Sequence, residues 1–287
     1  MNATTTATVP LASRRRFLRQ LTGGLFTLGT GTAAYSTAWE RRNPVLVQSS
    51  LPCPRLRESQ HGIKVLHLSD LHADDWTPAV VIERAVELAH QAAPDLIVFT
   101  GDFITANPDR LVSLAKDLRG LRAPLGIYAC LGNHDVWHGR ARVSSALTQL
   151  GIRPLINESL RLQAPGGPLW ITGLDSAWAG QVDLQSALRH WNPTEPNLIL
   201  LHEPDAADML DGHHIAAVQL SGHTHGGQVR APWFGAIQTP HMGDKYILGH
   251  YRVGDMHLHV NPGLGTMGVP FRFLCRPEVS LHTLVPA

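Results

Sequence analysis

The chain has 287 residues, of which 44% are hydrophobic and 16% are charged, values that fit a globular protein and exclude a largely disordered one. Residues 1–38 contain four arginines and no acid, so the remaining 20 basic and 23 acidic residues give a net charge of −3. No nucleic-acid partner is expected, because binding to nucleic-acid phosphates requires clustered Lys and Arg that this mildly acidic body lacks.

Residues 1–38 are predicted to be an export signal. The sequence Ser13-Arg-Arg-Arg-Phe-Leu18 precedes a weakly apolar stretch at 21–34 that is interrupted by glycines. This hexapeptide resembles the Ser-Arg-Arg-x-Phe-Leu pattern of twin-arginine signals. The resemblance implies that the twin-arginine export machinery is a partner. It also implies that the protein is periplasmic or lies on the outer face of the cytoplasmic membrane.

An alternative for the same segment is a basic amphipathic helix on the membrane or an anchor within it. A spanning helix needs ~20 predominantly apolar residues, whereas the stretch at 21–34 is shorter and rich in Gly and Thr. Cleavage after Ala38 and an uncleaved anchor both stay open. A peripheral contact with the membrane is compatible with either.

Residues 39–60 contain Pro44, Pro52 and Pro54 and show no clear period, which predicts a tether. From residue 61 onward, short apolar runs alternate with helical patterns, and nearly continuous apolar strands indicate sheets buried on both faces. We therefore expect residues 61–287 to form one domain. Its predicted strands are 63–70, 95–100, 126–131, a strand around 155, 169–174, 197–201 and 216–220, with a hairpin turn at 165–168. Its predicted helices are 78–93, 109–121, 142–150, 183–191 and 206–210.

The 17 histidines of the chain indicate metal binding, because His is the commonest metal ligand near neutral pH. The three cysteines show no C-x-x-C spacing and therefore predict neither a zinc knuckle nor a redox pair. Several histidines fall outside any motif. Among these, we expect His67 to face the core or to be hydrogen-bonded, and His257 and His259 to lie at the surface.

Ligand-type residues follow five of the apolar strands. The clusters are Asp70-Leu-His72, Gly101-Asp102, Gly132-Asn-His-Asp135, His202 and Gly222-His-Thr-His225. A single His or Asp after a strand is more often a hydrogen-bonded turn residue than a ligand. Five such clusters in order are different, because ligands at the carboxyl ends of sheet strands converge on one crevice.

In these five blocks the sequence resembles the calcineurin-like metallophosphoesterases, whose pattern is D-x-H, G-D, G-N-H-D/E, H and G-H-x-H. Segments 261–266 and 270–278 are similar to a bacterial branch with membrane-associated phosphodiesterases and UDP-2,3-diacylglucosamine pyrophosphatases. The resemblance implies an α/β fold, a metallophosphatase-type sandwich of two mixed β-sheets flanked by helices. It also implies a phosphoesterase that uses two divalent or transition metal ions, with Mn, Fe and Zn as candidates.

The resemblance further implies a role for each matching residue. Asp70, His72 and His225 would bind one metal ion, Asp102 would bridge to the second, and Asn133, His202 and His223 would complete the second site. His134 would hydrogen-bond the phosphate or protonate the leaving oxygen, and Asp135 would hold the His134 ring in orientation.

The substrate is predicted only by class, as a small molecule or lipid with a phosphodiester or pyrophosphate bond. Segments 228–234 and 269–273 place large apolar side chains near the ligand clusters, where they either bind an apolar part of the substrate or pack under the loops. A UDP-2,3-diacylglucosamine-type pyrophosphate is one candidate, although an exported enzyme would not meet a cytosolic nucleotide sugar. The alternatives are a non-catalytic metal-binding or ligand-binding protein of the cell envelope and a nuclease, which would need a basic groove.

Overall fold

The structure is a computed structural model that describes residues 12–74, 76–111, 116 and 118–287 of the chain. The start of the predicted export signal and part of the predicted helix at 109–121 lie outside these residues. The α-helices whose bounds lie within the described residues are α1 (Ala12–Ala34), α2 (Ala79–Ala92), α3 (Asn133–Gln149), α4 (Leu184–Ala187) and α5 (Ala207–Asp211). Within the described residues, no helix is both long and apolar enough to cross a membrane.

The described strands form two six-stranded mixed sheets and one short pair. Sheet 1 has the order β1-β14-β2-β3-β4-β5 and sheet 2 the order β12-β13-β9-β8-β7-β6, while β10 pairs with β11. The strands of sheet 1 are β1 (Val45–Cys53), β2 (Lys64–Leu68), β3 (Leu96–Thr100), β4 (Ile127–Cys130), β5 (Arg153–Pro154) and β14 (Glu278–Pro286). Those of sheet 2 are β6 (Glu158–Ala164), β7 (Gly167–Gly173), β8 (Asn197–Leu200), β9 (Val218–Ser221), β12 (Gly249–Val253) and β13 (Met256–Val260), and the short pair is β10 (Arg230–Ala231) and β11 (Gly235–Ala236).

Both sheets are parallel in their centres. Strands β2 to β5 run parallel in sheet 1, and β7, β8, β9 and β13 run parallel in sheet 2. The outer strands β6 and β12 are antiparallel to their neighbours. The parallel central strands of each sheet therefore end at a common edge, as the predicted alternation of strands and helices requires.

The burial of β3 explains the layered core. All five residues of this strand are buried, with Leu96 and Val98 packing between the sheets and Ile97 and Phe99 packing under helices. Side chains of a strand alternate between its faces, so a strand covered on both faces must be apolar throughout. The predicted sandwich of two mixed sheets flanked by helices is confirmed.

The helix predicted at 78–93 is confirmed as α2, which turns one apolar face to the core and ends at Ala93 in a left-handed conformation. The helix predicted at 142–150 begins already at Asn133 and is interrupted at Gly139. The helix predicted at 183–191 is limited to α4, because Arg189 and Trp191 donate to carbonyls three residues earlier rather than four. The predicted hairpin turn is confirmed between β6 and β7.

The predicted tether at 39–60 is wrong for residues 45–53, which form β1. This strand pairs in parallel with β14 along its whole length, from Val45 beside Glu278 to Cys53 beside Pro286. It lies at the edge of sheet 1, where a proline such as Pro52 does not interrupt the hydrogen bonds of a second neighbour. The extent of the domain stays a prediction.

Two predictions about histidines outside the motifs have different outcomes. His67 faces the core as expected and is fully buried, with its Nε2 atom 2.8 Å from Thr100 Oγ1. The surface position expected for His259 is wrong, because this side chain is only 7% exposed. It points between the sheets, whereas its neighbours Leu258 and Val260 pack under the helices of sheet 2.

Candidate metal centre

Six of the predicted ligands meet in two groups just beyond the ends of four strands. Four of them stand two residues after a strand end, where Asp70 follows β2, Asp102 follows β3, His202 follows β8 and His223 follows β9. One group consists of Asp70, His72 and His225, and the other of Asp102, His202 and His223. The ligand atoms in each group lie within 4.8 Å of one another, and all six side chains are buried.

The spacing within each group suits a metal ion. The Nε2 atoms of His72 and His225 are 3.1 Å apart, and Nδ1 of His223 lies 3.2 Å from Nε2 of His202. Two ligands about 2.1 Å from a tetrahedral ion would be ~3.4 Å apart. Oδ2 of Asp102 lies 3.6 Å from His72 Nε2 and 3.2 Å from His202 Nε2, between the two groups. The clusters are compatible with a dinuclear metal centre.

The backbone is strained where it presents these ligands. Five residues of the two groups have φ values between 43° and 74°, in the left-handed region that non-glycine residues rarely adopt; they are Asp70, His72, Asp102, His223 and His225. Each such residue costs on the order of 1–3 kcal/mol and persists only where the surrounding structure enforces it. Concentration of this strain at one place is typical of a functional site.

Two glycines allow the loops to approach one another closely. A Cβ atom at Gly132 would lie 2.2 Å from Oδ1 of Asp102, and one at Gly222 would lie 2.2 Å from Oδ2 of Asp70. Both distances are far below a van der Waals contact. The glycines of the G-N-H-D and G-H-x-H blocks are therefore required by the packing of the carboxylates beside them.

In three histidines, a hydrogen bond places a proton on the ring nitrogen that faces away from the ligand groups. His202 Nδ1 donates to the carbonyl of Thr100 and His223 Nε2 to the carbonyl of His241, because a carbonyl can only accept. His72 Nδ1 donates to Oγ1 of Thr105, whose own hydrogen goes to Asp74. An oxygen acceptor on the outer nitrogen is the usual support of a metal-binding imidazole. Because burial also lowers the pKa of His72 and of His223, the opposite nitrogens of these two rings carry free lone pairs.

Burial keeps most of these imidazoles neutral. It lowers the pKa of His72 and of His223 to about 4, and that of His225 well below its usual range. His202 differs, because the charge of Asp102 and its hydrogen bond raise the pKa of His202 against the effect of burial. In turn, the charge and the hydrogen bond of His202 lower the pKa of Asp102, although burial opposes this shift. The site therefore stabilises positive charge next to Asp102, where a metal ion would supply it.

Asn133 fits the same centre. It is the first residue of α3, only 1% exposed, and its Oδ1 atom has no hydrogen-bond partner. A buried amide oxygen without a donor is destabilising by about 1–3 kcal/mol. This oxygen lines the same cavity as His72, Asp102 and His223. A metal ion would satisfy it, so the donor set of two carboxylates, four imidazoles and one amide oxygen fits the implied ions.

His134 lies beside the two groups but belongs to neither. Its ring is 5.2 Å from that of His72, centroid to centroid, and it lines the cavity. Its Nδ1 atom donates to the carbonyl of Thr105 at 2.7 Å. The predicted contact of Asp135 with this ring is therefore wrong. The carboxylate of Asp135 accepts three backbone N–H groups instead, from Gly132, Phe103 and Ile104, and thereby joins two ligand loops.

Arg272 supports the centre and was not recognised in the sequence. Its guanidinium is fully buried and donates to four carbonyl oxygens, those of Pro262, Gly263, Gly265 and Cys275. Its Nη2 atom lies 3.4 Å from Nδ1 of His225. Segment 270–278 carries a family likeness and segment 269–273 carries large apolar side chains, but nothing in the local pattern indicates that Arg272 is enclosed by backbone carbonyls.

A cavity of about 750 Å³ opens over the two groups. The polar part of its wall includes His72, Asp102, Asn133, His134, His223 and His225, and its large apolar side chains are Trp137, Trp178, Val229, Ile237, Met267, Val269 and Phe271. Segments 228–234 and 269–273 thus both reach the cavity, as expected. Packing of Trp233 and Phe234 under their loop is wrong, because these side chains are 98% and 89% exposed.

Residues 63–227 match the family of calcineurin-like phosphoesterases. The chain is 35% identical to the uncharacterized metallophosphoesterase YkuE of Bacillus subtilis strain 168, over 95% of this chain and 97% of that protein. It is 30% identical to the phosphodiesterase YaeI of Escherichia coli strain K12, over 96% of this chain and 100% of that protein. It is 28% identical to the UDP-2,3-diacylglucosamine pyrophosphatase LpxG of Chlamydia trachomatis, over 77% of this chain and 83% of that protein.

The family match and the two metal-compatible groups agree with one another. Every block of the expected pattern contributes a side chain to the groups or to the cavity above them. Relatives with phosphodiesterase and pyrophosphatase names point to the same reaction class. The chain therefore belongs to the calcineurin-like phosphoesterase family and is a metal-dependent phosphoester hydrolase.

Proposed function

We propose that the chain hydrolyses a phosphodiester bond in an amphiphilic substrate. The observation that carries the proposal is the position of Asp102, whose Oδ2 atom lies between two buried ligand groups at the base of a largely apolar cavity. One ion would be held by Asp70, His72 and His225, the other by Asn133, His202 and His223, with Asp102 shared. When bound, the ions would neutralise the phosphate oxygens and activate a water for in-line attack.

The remaining chemistry falls to side chains of the cavity. His134 presents its ring to the cavity, while Thr105 fixes the opposite nitrogen of that ring. From this position it would hydrogen-bond the phosphate and, when protonated, donate a proton to the leaving oxygen. Trp137 and Trp178 meet edge to face beside it, with centroids 4.6 Å apart, and would exclude water from the bond that breaks.

The character of the cavity favours a diester over a highly charged substrate. Among the described residues that line it, none is Lys or Arg, whereas seven are large apolar side chains. A substrate with several phosphate charges would normally need cationic side chains beyond the metal ions. The name of the relative LpxG makes a pyrophosphate with acyl chains the second candidate, and the apolar wall would suit its acyl chains equally well.

The proposed reaction is tested with the purified full chain, Mn²⁺ and two substrates, bis-p-nitrophenyl phosphate and p-nitrophenyl phosphate. We expect metal-dependent cleavage, faster for the diester, and a loss of ~10³-fold or more in Asp102→Asn, because charge stabilisation in such sites contributes several kcal/mol. Asp109→Asn is the control, since this carboxylate is exposed. Wild-type turnover in Asp102→Asn would refute the shared-ligand assignment.

The apolar part of the substrate is tested separately with Ile237→Asp. This side chain lines the cavity and is 67% exposed, so a charge there should be tolerated by the fold. We expect KM for a diester with long acyl chains to rise ~10-fold, with bis-p-nitrophenyl phosphate unaffected. Met209→Asp, at an exposed apolar position on α5, is the control. An equal change for both substrates would argue against an acyl site.

We further propose that the protein is exported by the twin-arginine machinery and works outside the cytoplasm. The support is the Ser13-Arg-Arg-Arg-Phe-Leu18 pattern and the four arginines of a segment without acids. The exposed Trp233 and Phe234, which lie in the chain between the cavity-lining Val229 and Ile237, would then be suited to a peripheral contact with lipid. Cell fractionation of the wild type and of a variant with Arg14→Lys and Arg15→Lys tests the proposal, and equal distribution of both would refute it.

A further inference from the structure

Three further histidines meet between the two sheets, away from every motif of the family. His67 lies on β2 and His282 on β14, both in sheet 1, while His259 lies on β13 in sheet 2. Their ring centroids are 4.2–6.0 Å apart, and they are 0%, 0% and 7% exposed. One ring nitrogen from each lies within 4.8 Å of the others.

Each of these rings has a buried nitrogen without a hydrogen-bond partner. The three atoms are Nδ1 of His67, Nδ1 of His259 and Nε2 of His282. Unpartnered buried nitrogens are uncommon, because the loss of hydration is not compensated. Because the three rings are in mutual contact, one bound group that accepts their lone pairs would give all three nitrogens a partner.

The outer nitrogens of two rings are held as they are in metal sites. Thr100 Oγ1 gives its hydrogen to Ser69, so it must accept from Nε2 of His67, which leaves the lone pair of that ring on Nδ1. On the opposite side, Nδ1 of His282 lies 2.8 Å from Oγ of Ser49. A hydroxyl that fixes the outer nitrogen orients an imidazole for coordination.

The three rings stay neutral at physiological pH. Burial lowers the pKa of His259 to about 4 and those of His67 and His282 well below their usual range. Protonation therefore does not relieve the unpartnered lone pairs. Three neutral imidazoles without a carboxylate suit a borderline ion such as Zn²⁺ and are a poor site for Mg²⁺ or Ca²⁺.

We propose that His67, His259 and His282 bind a third metal ion, of the zinc class, that joins the two sheets. Two ligands come from neighbouring strands of sheet 1 and the third from sheet 2, so the ion would cross-link the two layers. The site is structural, because its ligands lie on strands and are closed to solvent. Thr100 links it to the catalytic centre, since its hydroxyl contacts His67 and its carbonyl accepts from His202.

The proposal is tested by counting metal ions on the purified full chain after dialysis against Zn²⁺ and removal of excess. We expect about three ions per chain in the wild type and in His90→Leu, an exposed histidine, but about two in His282→Leu. Thermal unfolding should show a Zn²⁺-dependent rise in Tm that is smaller in His282→Leu. Two ions in all three proteins would overturn the proposal.

A second measurement covers the case in which His282→Leu does not fold. Crystals of the wild-type chain grown with Zn²⁺ are measured on both sides of the zinc absorption edge. An anomalous peak about 2.1 Å from the three unpartnered nitrogens supports the proposal. A map with peaks at the catalytic centre and none between the sheets overturns it, and leaves the assigned catalytic ligands unaffected.

Discussion

The catalytic centre and the three-histidine cluster between the sheets use the same residue type in opposite ways. Ligands of the catalytic centre stand beyond the strand ends, include carboxylates and open to a cavity. Those of the inner cluster stand within strands, are all imidazoles and are enclosed. A catalytic metal needs an open position for water or substrate, whereas a structural one needs closure. Placement along the strand, together with the presence or absence of carboxylates, therefore separates the two clusters.

Backbone conformation separates the two clusters as well. Five ligands at the strand ends have left-handed backbone, whereas His67, His259 and His282 have the extended backbone of their strands. The open centre therefore depends on its surroundings to hold strained loops, through Asp135 and Arg272. The inner cluster needs no such support, because the two sheets already fix its ligands.

Among the variants that test this difference between the clusters, the largest effect is expected for His134→Ala, which separates metal binding from proton transfer at the open centre. Turnover of a diester with a poor leaving group should fall ~10²–10⁴-fold, and the metal content should not change, because His134 belongs to neither ligand group. The loss should be smaller with a p-nitrophenyl leaving group, which needs little protonation. His138→Ala, on the same helix, is the matched control. Loss of metal in His134→Ala would make it a ligand instead.

Arg272→Leu should show how far the open centre depends on its support. The change leaves several buried carbonyls without a donor, and we expect it to lower the free energy of unfolding by about 3–5 kcal/mol and to reduce metal affinity through His225. Urea unfolding of metal-free protein measures the first effect, with the exposed Arg189→Leu as the control. A loss below about 1 kcal/mol would contradict the role of Arg272 as a buried support.

The smallest effect concerns the stability of the fold in acid, to which Glu195, a residue outside both clusters, contributes. The hydrogen bonds of Arg161 and Trp170 lower the pKa of Glu195 from 4.5 to about 2. Because the folded pKa lies below the unfolded value, the stabilisation is complete above pH 4.5 and is lost as the pH falls towards 2.

Glu195→Gln should therefore cost about 1 kcal/mol at neutral pH, a modest value because Arg161 is partly exposed. The difference from the wild type in urea unfolding should shrink as the pH falls from 4.5 towards 2. Glu158→Gln, at an exposed carboxylate, is the control. A difference that is constant with pH would mean that the ion pair contributes nothing to acid sensitivity.

Most of the fold and the ligand set could be predicted from the sequence, because both depend on local order. Strands such as β3 are apolar throughout, and the ligand blocks follow strand ends at fixed distances. The hydrophobic pattern and the order of the blocks along the chain are therefore sufficient to predict both. The roles assigned to individual ligands stay predictions, but the structure brings six of the seven into two groups and Asn133 to the same cavity.

The features that could not be predicted depend on contacts between distant segments. The prolines in and near β1 suggest an irregular segment when the sequence is read alone. An edge strand tolerates proline, but the position of β1 at the edge is known only once its pairing with β14 is seen. The N–H groups of Phe103 and Ile104, which donate to Asp135, belong to another loop, and the order of residues in the block of Asp135 does not reveal them. The inner cluster is hidden for the same reason, because its members are separated by almost 200 residues between His67 and His259.

The pairing of β1 with β14 determines when this protein can fold. Strand β14 lies between β1 and β2, so sheet 1 joins Val45 to Glu278 and Lys64 to Thr283. Contacts between residues so distant in sequence close slowly and late. A ribosome that has not yet synthesised residues 278–286 holds a chain in which β1 has no neighbour and β2 has a bare edge. Sheet 1 can therefore be completed only after β14 has been synthesised, and a chaperone that covers β2 until then would protect the nascent chain from aggregation.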